Sequence, residues 1–428
     1  MKRLLILLAA CAAAPLCAQT VAITGGKVAI GDGSAPIEGG TVVIRNGRIV
    51  AAGANVAVPA DAQRIDAQGR WVTPGLVAGF TQLGLVEVEA VGETNDTNAS
   101  STPFSAALDI APAINARVSA MAISRGRGVT RAIVAPNTAR TMFAGQGALV
   151  DTGDDREAVF VPRAFQYVEF GEDGANEAGG SRAAAHAFFR NAMLEARDYA
   201  RNPAAYDGRS SDALLMRLDA AALVPVVTGK MPLMVHAEKT SDIIEVLKLR
   251  EDFPALKLIL VGASEGWMIA DRIAASGVPV IASALNDLPS SFEVLAATQS
   301  NYGRMQDAGV KLAVGEIDGQ PRNTKQSAGN LVALQKVPGA TGLTWDEALA
   351  AVTSGPAEVM GMGNDFGSLR PGRRADVVIW DGDPLELGSA PVAMLIDGVQ
   401  QPLENRQTRL RDRYLNPTEG QLPKAYDR

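Results

Sequence analysis

From Pro232 onward, short runs of Val, Ile and Leu alternate with stretches whose apolar residues recur at helical spacing. P-L-M-V-H-A reads as a strand ending in His236, and Thr240-Ser241-Asp242 is placed to cap the helix I-I-E-V-L-K-L. L-K-L-I-L-V is the next strand, W-M-I-A-D-R-I-A-A-S a helix stopped by Gly277, and V-P-V-I-A-S another strand. The pattern then predicts a long helix over 292–306, the strand K-L-A-V-G-E-I-D, and helices in S-A-G-N-L-V-A-L and W-D-E-A-L-A-A-V-T. Strands this apolar, separated by helices, are buried on both faces, which predicts a parallel sheet covered by helices. Several such units in a row point to a (β/α) barrel, with an open doubly wound sheet as the alternative.

The two ends are patterned differently. V-V-I-R-N-G-R-I-V-A-A-G sets Asn46-Gly47 between apolar runs, a strong signal for a tight hairpin. Asp397-Gly398 repeats that signal near the other end, after R-A-D-V-V-I-W-D-G-D-P. The economical expectation is one small β domain formed by residues 19–73 and 367–405, flanking a barrel over 74–366, with 406–428 as a tail. Within the barrel region, 87–104 is polar and aperiodic, which predicts a long loop after the first strand. A helix, a Gly stop and a strand follow in A-R-V-S-A-M-A-I-S-R-G and V-T-R-A-I-V-A, and S-R-A-A-A-H-A-F-F-R-N-A-M-L-E-A reads as a clear helix.

Composition narrows the function. Nearly half of the 428 residues are hydrophobic and the formal net charge is −7, with no basic stripe, so nucleic acid is not an expected partner. Lys2 and Arg3 precede a short apolar run and the small residue Ala18, the pattern of a secretory leader over 1–18. That run is too short to span a bilayer. Both cysteines, Cys11 and Cys17, lie in this leader, so cleavage after Ala18 would leave a chain without thiols and with a net charge of −9, once Lys2 and Arg3 are gone. The expected location is periplasmic or secreted, and the expected partner a small-molecule ligand or substrate, with no nucleic acid and no membrane span.

In a βα barrel, functional side chains stand just beyond the C-terminal ends of the strands. That rule selects His236, Glu238 and Lys239; Ser264 and Glu265; Asn286 and Asp287; Glu316 and Asp318; and, after the first strand, Gln82, Glu87 and Glu89. Only two histidines exist, and the other, His186, falls in mid-helix. Catalytic zinc needs about three protein ligands and an open position. His236 with Asp318 and carboxylates from Glu238, Glu265 or Glu316 could assemble an oxygen-rich set, which suits magnesium or manganese better. Gly262-Ala263-Ser264-Glu265-Gly266 matches G-x-S-x-G between a strand and a helix, and Ser264 could approach His236 from a neighbouring strand.

The motifs G-R-W-V-T-P-G-L-V, P-L-M-V-H-A, A-L-A-A-V-T-S-G-P-A-E-V-M-G and G-S-L-R-P-G-R-R-A-D-V-V-I-W-D-G-D-P together resemble the amidohydrolase superfamily, in its imidazolonepropionase-like, periplasmic branch. The resemblance implies a distorted (β/α)8 barrel with a small β-sandwich built from both termini. It implies hydrolysis of non-peptide C–N bonds with zinc or another divalent metal. Position by position, however, Ala78, Phe80 and Gln82 stand where the first strand carries Asp and two His. His236 matches the fifth-strand ligand, Gly262 occupies the sixth-strand place, and Asp318 falls near the eighth. The expectation is therefore a degenerate metal site with no cofactor, His236 being vestigial, Asp318 the remaining catalytic carboxylate, and Gln82, Glu238, Lys239, Ser264, Glu265 and Glu316 binding substrate. The alternatives are a catalytically inactive barrel that binds a ligand or partner, and a metal-free hydrolase using Ser264 and His236.

Overall fold

The computed structural model describes residues 20–204, 206, 213–315 and 320–415. The leader, the last thirteen residues, Glu316 and Asp318 lie outside the described residues.

Two sheets organise the chain. The first contains β1 (Thr20–Val28), β2 (Ile37–Arg45), β3 (Arg48–Gly53), β4 (Gln63–Asp66) and β5 (Trp71–Pro74). The barrel strands follow: β6 (Leu76–Thr81), β7 (Val129–Val134), β8 (Phe143–Asp151), β9 (Val159–Glu169), β10 (Leu233–Ala237), β11 (Leu258–Gly262), β12 (Val280–Ala282) and β13 (Leu312–Val314). The chain then returns to the first sheet with β14 (Val377–Trp380), β15 (Pro391–Ile396) and β16 (Val399–Gln400). Hydrogen bonds join the strands from the two ends where β5 pairs antiparallel with β14. Both hairpin dipeptides adopt left-handed backbone: Asn46 and Gly47 have φ of 51° and 72°, Asp397 and Gly398 of 49° and 76°. Those angles suit the two-residue turns that connect β2 to β3 and β15 to β16.

The barrel runs β6 to β13 in sequence order. It is an α/β barrel with one departure from (β/α)8 regularity, since β8 is antiparallel to both of its neighbours, β7 and β9. Closure between β13 and β6 depends on glycine: a Cβ on Gly79 would lie 2.1 Å from the Val314 carbonyl oxygen, and one on Gly315 2.8 Å from the Phe80 nitrogen. Inside, Phe80, Tyr167, Met234, Ile259, Val261, Ile281 and Ala313 form an apolar plug. A larger cluster fills the space between the strands and the outer helices.

Local reading fails at two helices. Residues 292–300 form turns and only Asn301–Asp307 is helical. Glu293 in that segment is drawn into contacts with Arg182 and the Glu172 backbone, which compete with helix formation. The helix after His236 begins at Thr240 with Lys239 as its N-cap and no side-chain cap. Thr240 itself is tied to Glu265 through its backbone N–H and its hydroxyl. In the tail, Arg406–Leu415 forms a helix, its start held by Asn405, whose side-chain oxygen accepts from the Gln407 and Thr408 amides.

Candidate functional site

Parallel pairing brings the ends of β9, β10 and β11 side by side, with Glu169 in register with His236 and Ala237 with Gly262. His236 Nδ1 lies 2.6 Å from Glu169 Oε2, and its Nε2 lies 2.9 Å from Glu238 Oε1. The three side chains are 14 %, 11 % and 17 % exposed. Tyr167 donates its hydroxyl to the other Glu169 oxygen. Glu238 Oε2 accepts from the Ser264 amide at 2.8 Å. Gly262, at φ 88°, makes room for this carboxylate, because a Cβ there would sit 2.5 Å from Glu238 Oε1.

The charge state follows from these contacts. Burial opposes a charge on the His236 ring, but Glu169 and Glu238 outweigh it and hold the pKa well above the ordinary histidine value. Burial likewise opposes charge on Glu238, yet hydrogen bonds from His236 and Ser264 hold its pKa below the ordinary glutamate value. Tyr167 is pushed up by burial and by Glu169. The row thus runs Tyr167, Glu169, His236, Glu238, with the imidazole held towards its protonated form and Glu238 towards its carboxylate. An imidazolium flanked in this way donates from both nitrogens and offers no lone pair to a cation.

The other sequence-selected residues separate. Ser264 does not meet His236; its hydroxyl accepts from Asn286 Nδ2 at 2.6 Å, and Glu238 stands between serine and imidazole. Glu265 is buried in a structural role, accepting from the Thr240 and Ala296 amides. Lys239 serves as the helix N-cap. Asp287 accepts from the Gln299 amide. Gln82, Glu87 and Glu89 line a different cleft, beside the end of β6. Phe80 packs edge-on against Tyr167, ring centroids 5.3 Å apart, and is buried. His186 lies against the Phe170 ring on an outer helix.

Glu169 and Tyr167 join the candidate site without having been selected from the sequence. The signal was present in F-V-P-R-A-F-Q-Y-V-E-F, an apolar-rich run with a carboxylate at its end. Recognised as a strand, it would have yielded Glu169 by the same rule that yielded His236. Among the described residues, no group of three or more His, Cys, Asp or Glu is arranged to hold a metal ion.

Fold and site define an eight-stranded α/β barrel protein with a polar cluster at the C-terminal strand ends and a β domain at its side. The chain is similar to the amidohydrolase superfamily. The amidohydrolase family model matches residues 230–408. The amidohydrolase tasK of Hapsidospora irregularis is 24 % identical over 379 residues, 80 % of this chain and 38 % of that protein. An imidazolonepropionase of Cereibacter sphaeroides is 32 % identical over 170 residues, 38 % of this chain and 40 % of that one. The chain thus spans about two fifths of the length of these curated relatives. The crystal structure of an amidohydrolase from Thermotoga maritima has the same fold, with a TM-score of 0.78 and 22 % identity over 90 % of this chain and all of the other. The family normally uses a divalent metal.

Proposed function

We propose that this protein is an exported member of the amidohydrolase superfamily whose barrel mouth takes up a small molecule of the family's substrate kind, carrying a non-peptide C–N linkage, without a catalytic divalent metal. The observation that carries this reading is the occupation of both His236 nitrogens by Glu169 and Glu238. A metal ligand histidine must be neutral and present a free nitrogen. Phe80 and Gly262 contribute no side-chain donor to a cation, and Phe80 is committed to the apolar plug. The described donor set does not fit a divalent metal.

Metal content measured beside a hydrolase panel of amides, ureas and cyclic imides tests the reading. Protein purified without chelator is expected to hold well under one equivalent of zinc, manganese or iron and to show no metal-stimulated turnover. A stoichiometric metal that leaves on His236→Ala would overturn it.

A second reading, metal-free hydrolysis, is favoured by one feature. Ala263 has φ 52°, a left-handed conformation strained for alanine, immediately before Ser264 in a strand-to-helix turn. Here Glu238 rather than His236 would receive the serine proton. Chelator-resistant turnover abolished by both Ser264→Ala and Glu238→Gln supports it; turnover that survives Ser264→Ala excludes it.

Export rests on the leader composition. Intact mass of the protein released by cells is expected to start at Gln19, and a lipid-modified Cys11 species would contradict this. Among the described residues no helix is long and apolar enough to cross a membrane.

A further inference from the structure

A roomy cleft in the described residues does not contain the His236 cluster. It lies beside the end of β6, between the loop that follows this strand, the helix Ser119–Arg125 and the turn at 320–322, with a volume of about 400 Å³. That is within the range of small-molecule pockets, roughly 300–1,000 Å³. Two donors on its wall, an amide and a guanidinium, have no partner among the described residues. Gln82 Nε2 is buried and has no hydrogen-bond partner. Arg322, half-buried, makes no hydrogen bond or ion pair with any described residue. A buried amide N–H without an acceptor is destabilising by about 1–3 kcal/mol, so this donor calls for an acceptor that the described residues do not provide.

Two carboxylates on the same wall are each half engaged. Glu87 Oε1 accepts from Asn115, and Glu89 Oε1 accepts from Gln320 at 2.9 Å. The second oxygen of each accepts from no described residue. Val86 and Ile123 add apolar surface to the lining. A simple anion would meet two glutamates for one arginine, and a simple cation would leave Arg322 and Gln82 unsatisfied. A molecule that carries both charges answers all four side chains.

We propose that this cleft binds a small zwitterion, an α-amino acid with an apolar side chain, whose carboxylate sits on Arg322 and Gln82 and whose ammonium group lies between Glu87 and Glu89. An arginine fork matches a carboxylate with two parallel hydrogen bonds. The proposal deepens the reading of the barrel mouth as a small-molecule site by naming a ligand class, and it involves none of the residues around His236.

Isothermal titration calorimetry on the full-length mature protein tests it with L-leucine, L-methionine, N-acetyl-L-leucine and L-leucinamide as probes. The two free amino acids are expected to bind, and the two blocked forms at least tenfold more weakly. Arg322→Ala and Glu89→Gln are each expected to weaken L-leucine at least tenfold, and Arg322→Lys to recover part of the loss. Because Arg322 has no partner among the described residues, Arg322→Ala should melt with the parent, so a loss of binding reads on the ligand contact. No binding of either amino acid, equal binding of all four probes, or full affinity in Arg322→Ala would each overturn the proposal. A stoichiometric catalytic metal would defeat the metal-free reading and leave these titrations unaffected, so the two failures are distinguishable.

Discussion

Arg131, on the second barrel strand, reaches Asp376, which leads into the fourteenth strand of the chain, with Nε 2.5 Å from Oδ2 and Nη2 3.0 Å from Oδ1. The two side chains are 1 % and 5 % exposed, so this bidentate pair is a dry link between the barrel and the β domain. Asp397 adds a contact at 3.0 Å, and the Phe160 ring lies 4.5 Å from the guanidinium carbon. Removing one partner of such a pair leaves a buried charge, which destabilises by about 3–5 kcal/mol, whereas replacing both with apolar groups can be nearly neutral. Arg131→Met is therefore expected to lower the urea midpoint strongly, and Arg131→Met with Asp376→Leu to restore part of it. Equal stability of Arg131→Met and the parent would show that the link is not an energetic one.

The imidazolium of His236 gives stability a pH dependence with a definite sign. Its folded pKa is raised above the unfolded value of about 6.5, so its contribution is complete below about pH 6.5 and is lost as pH rises through the folded value. Glu238 works in the opposite direction: its folded pKa is depressed, so its contribution is present above about pH 4.3 and fades as pH falls through the folded value. His236→Gln keeps a hydrogen-bonding side chain but leaves Glu169 and Glu238 facing each other without a cation. It is expected to destabilise by about 3 kcal/mol near pH 6. The difference in denaturation midpoint between parent and variant should shrink from pH 6 towards pH 9. A pH-independent difference would mean that the ring is neutral.

Phe80 occupies the barrel interior, at the position the family resemblance aligns with a metal ligand. Its ring is 3 % exposed and packs against Tyr167. Phe80→Ala should destabilise by about 3–5 kcal/mol through lost burial and a cavity. Phe80→His should also destabilise, because the imidazole has no described partner in that plug. Added zinc is not expected to raise the melting temperature of Phe80→His; a zinc-dependent rise would mean that one substitution restores a cation site.

Barrel closure is sensitive to a single methyl group. Gly79→Ala sets a Cβ 2.1 Å from the Val314 carbonyl oxygen, which forces β6 and β13 apart. This variant is expected to be insoluble or to melt many degrees lower. Gly277→Ala is the matched control: that site is open, and only its left-handed φ of 67° opposes alanine, by roughly 1 kcal/mol. If the two variants behave alike, steric closure at Gly79 is not what the barrel depends on.

The sequence by itself determined the features that depend on neighbours in the chain. Asn46-Gly47 and Asp397-Gly398 set their turns, the Val/Ile/Leu runs from Pro232 onward set parallel strands, and the motifs around Trp71 and Arg370 carried the family resemblance. His236 and Glu238 were legible because they follow an apolar run that ends a strand. Tertiary structure decided what those groups face. Glu169 lies 67 residues before His236, and only the β9–β10 register aligns them, so no local spacing could reveal that both histidine nitrogens are occupied. The antiparallel β8 was equally hidden, since an antiparallel strand with both faces covered has the same apolar composition as a parallel one. Segment 292–300 loses its helix to contacts made by Glu293 across the barrel rim, and Ser264 is separated from His236 by the glutamate between them. Local propensities act over a few residues, whereas the partners of a buried charge are chosen by the strand order, and strand order is a property of the whole fold.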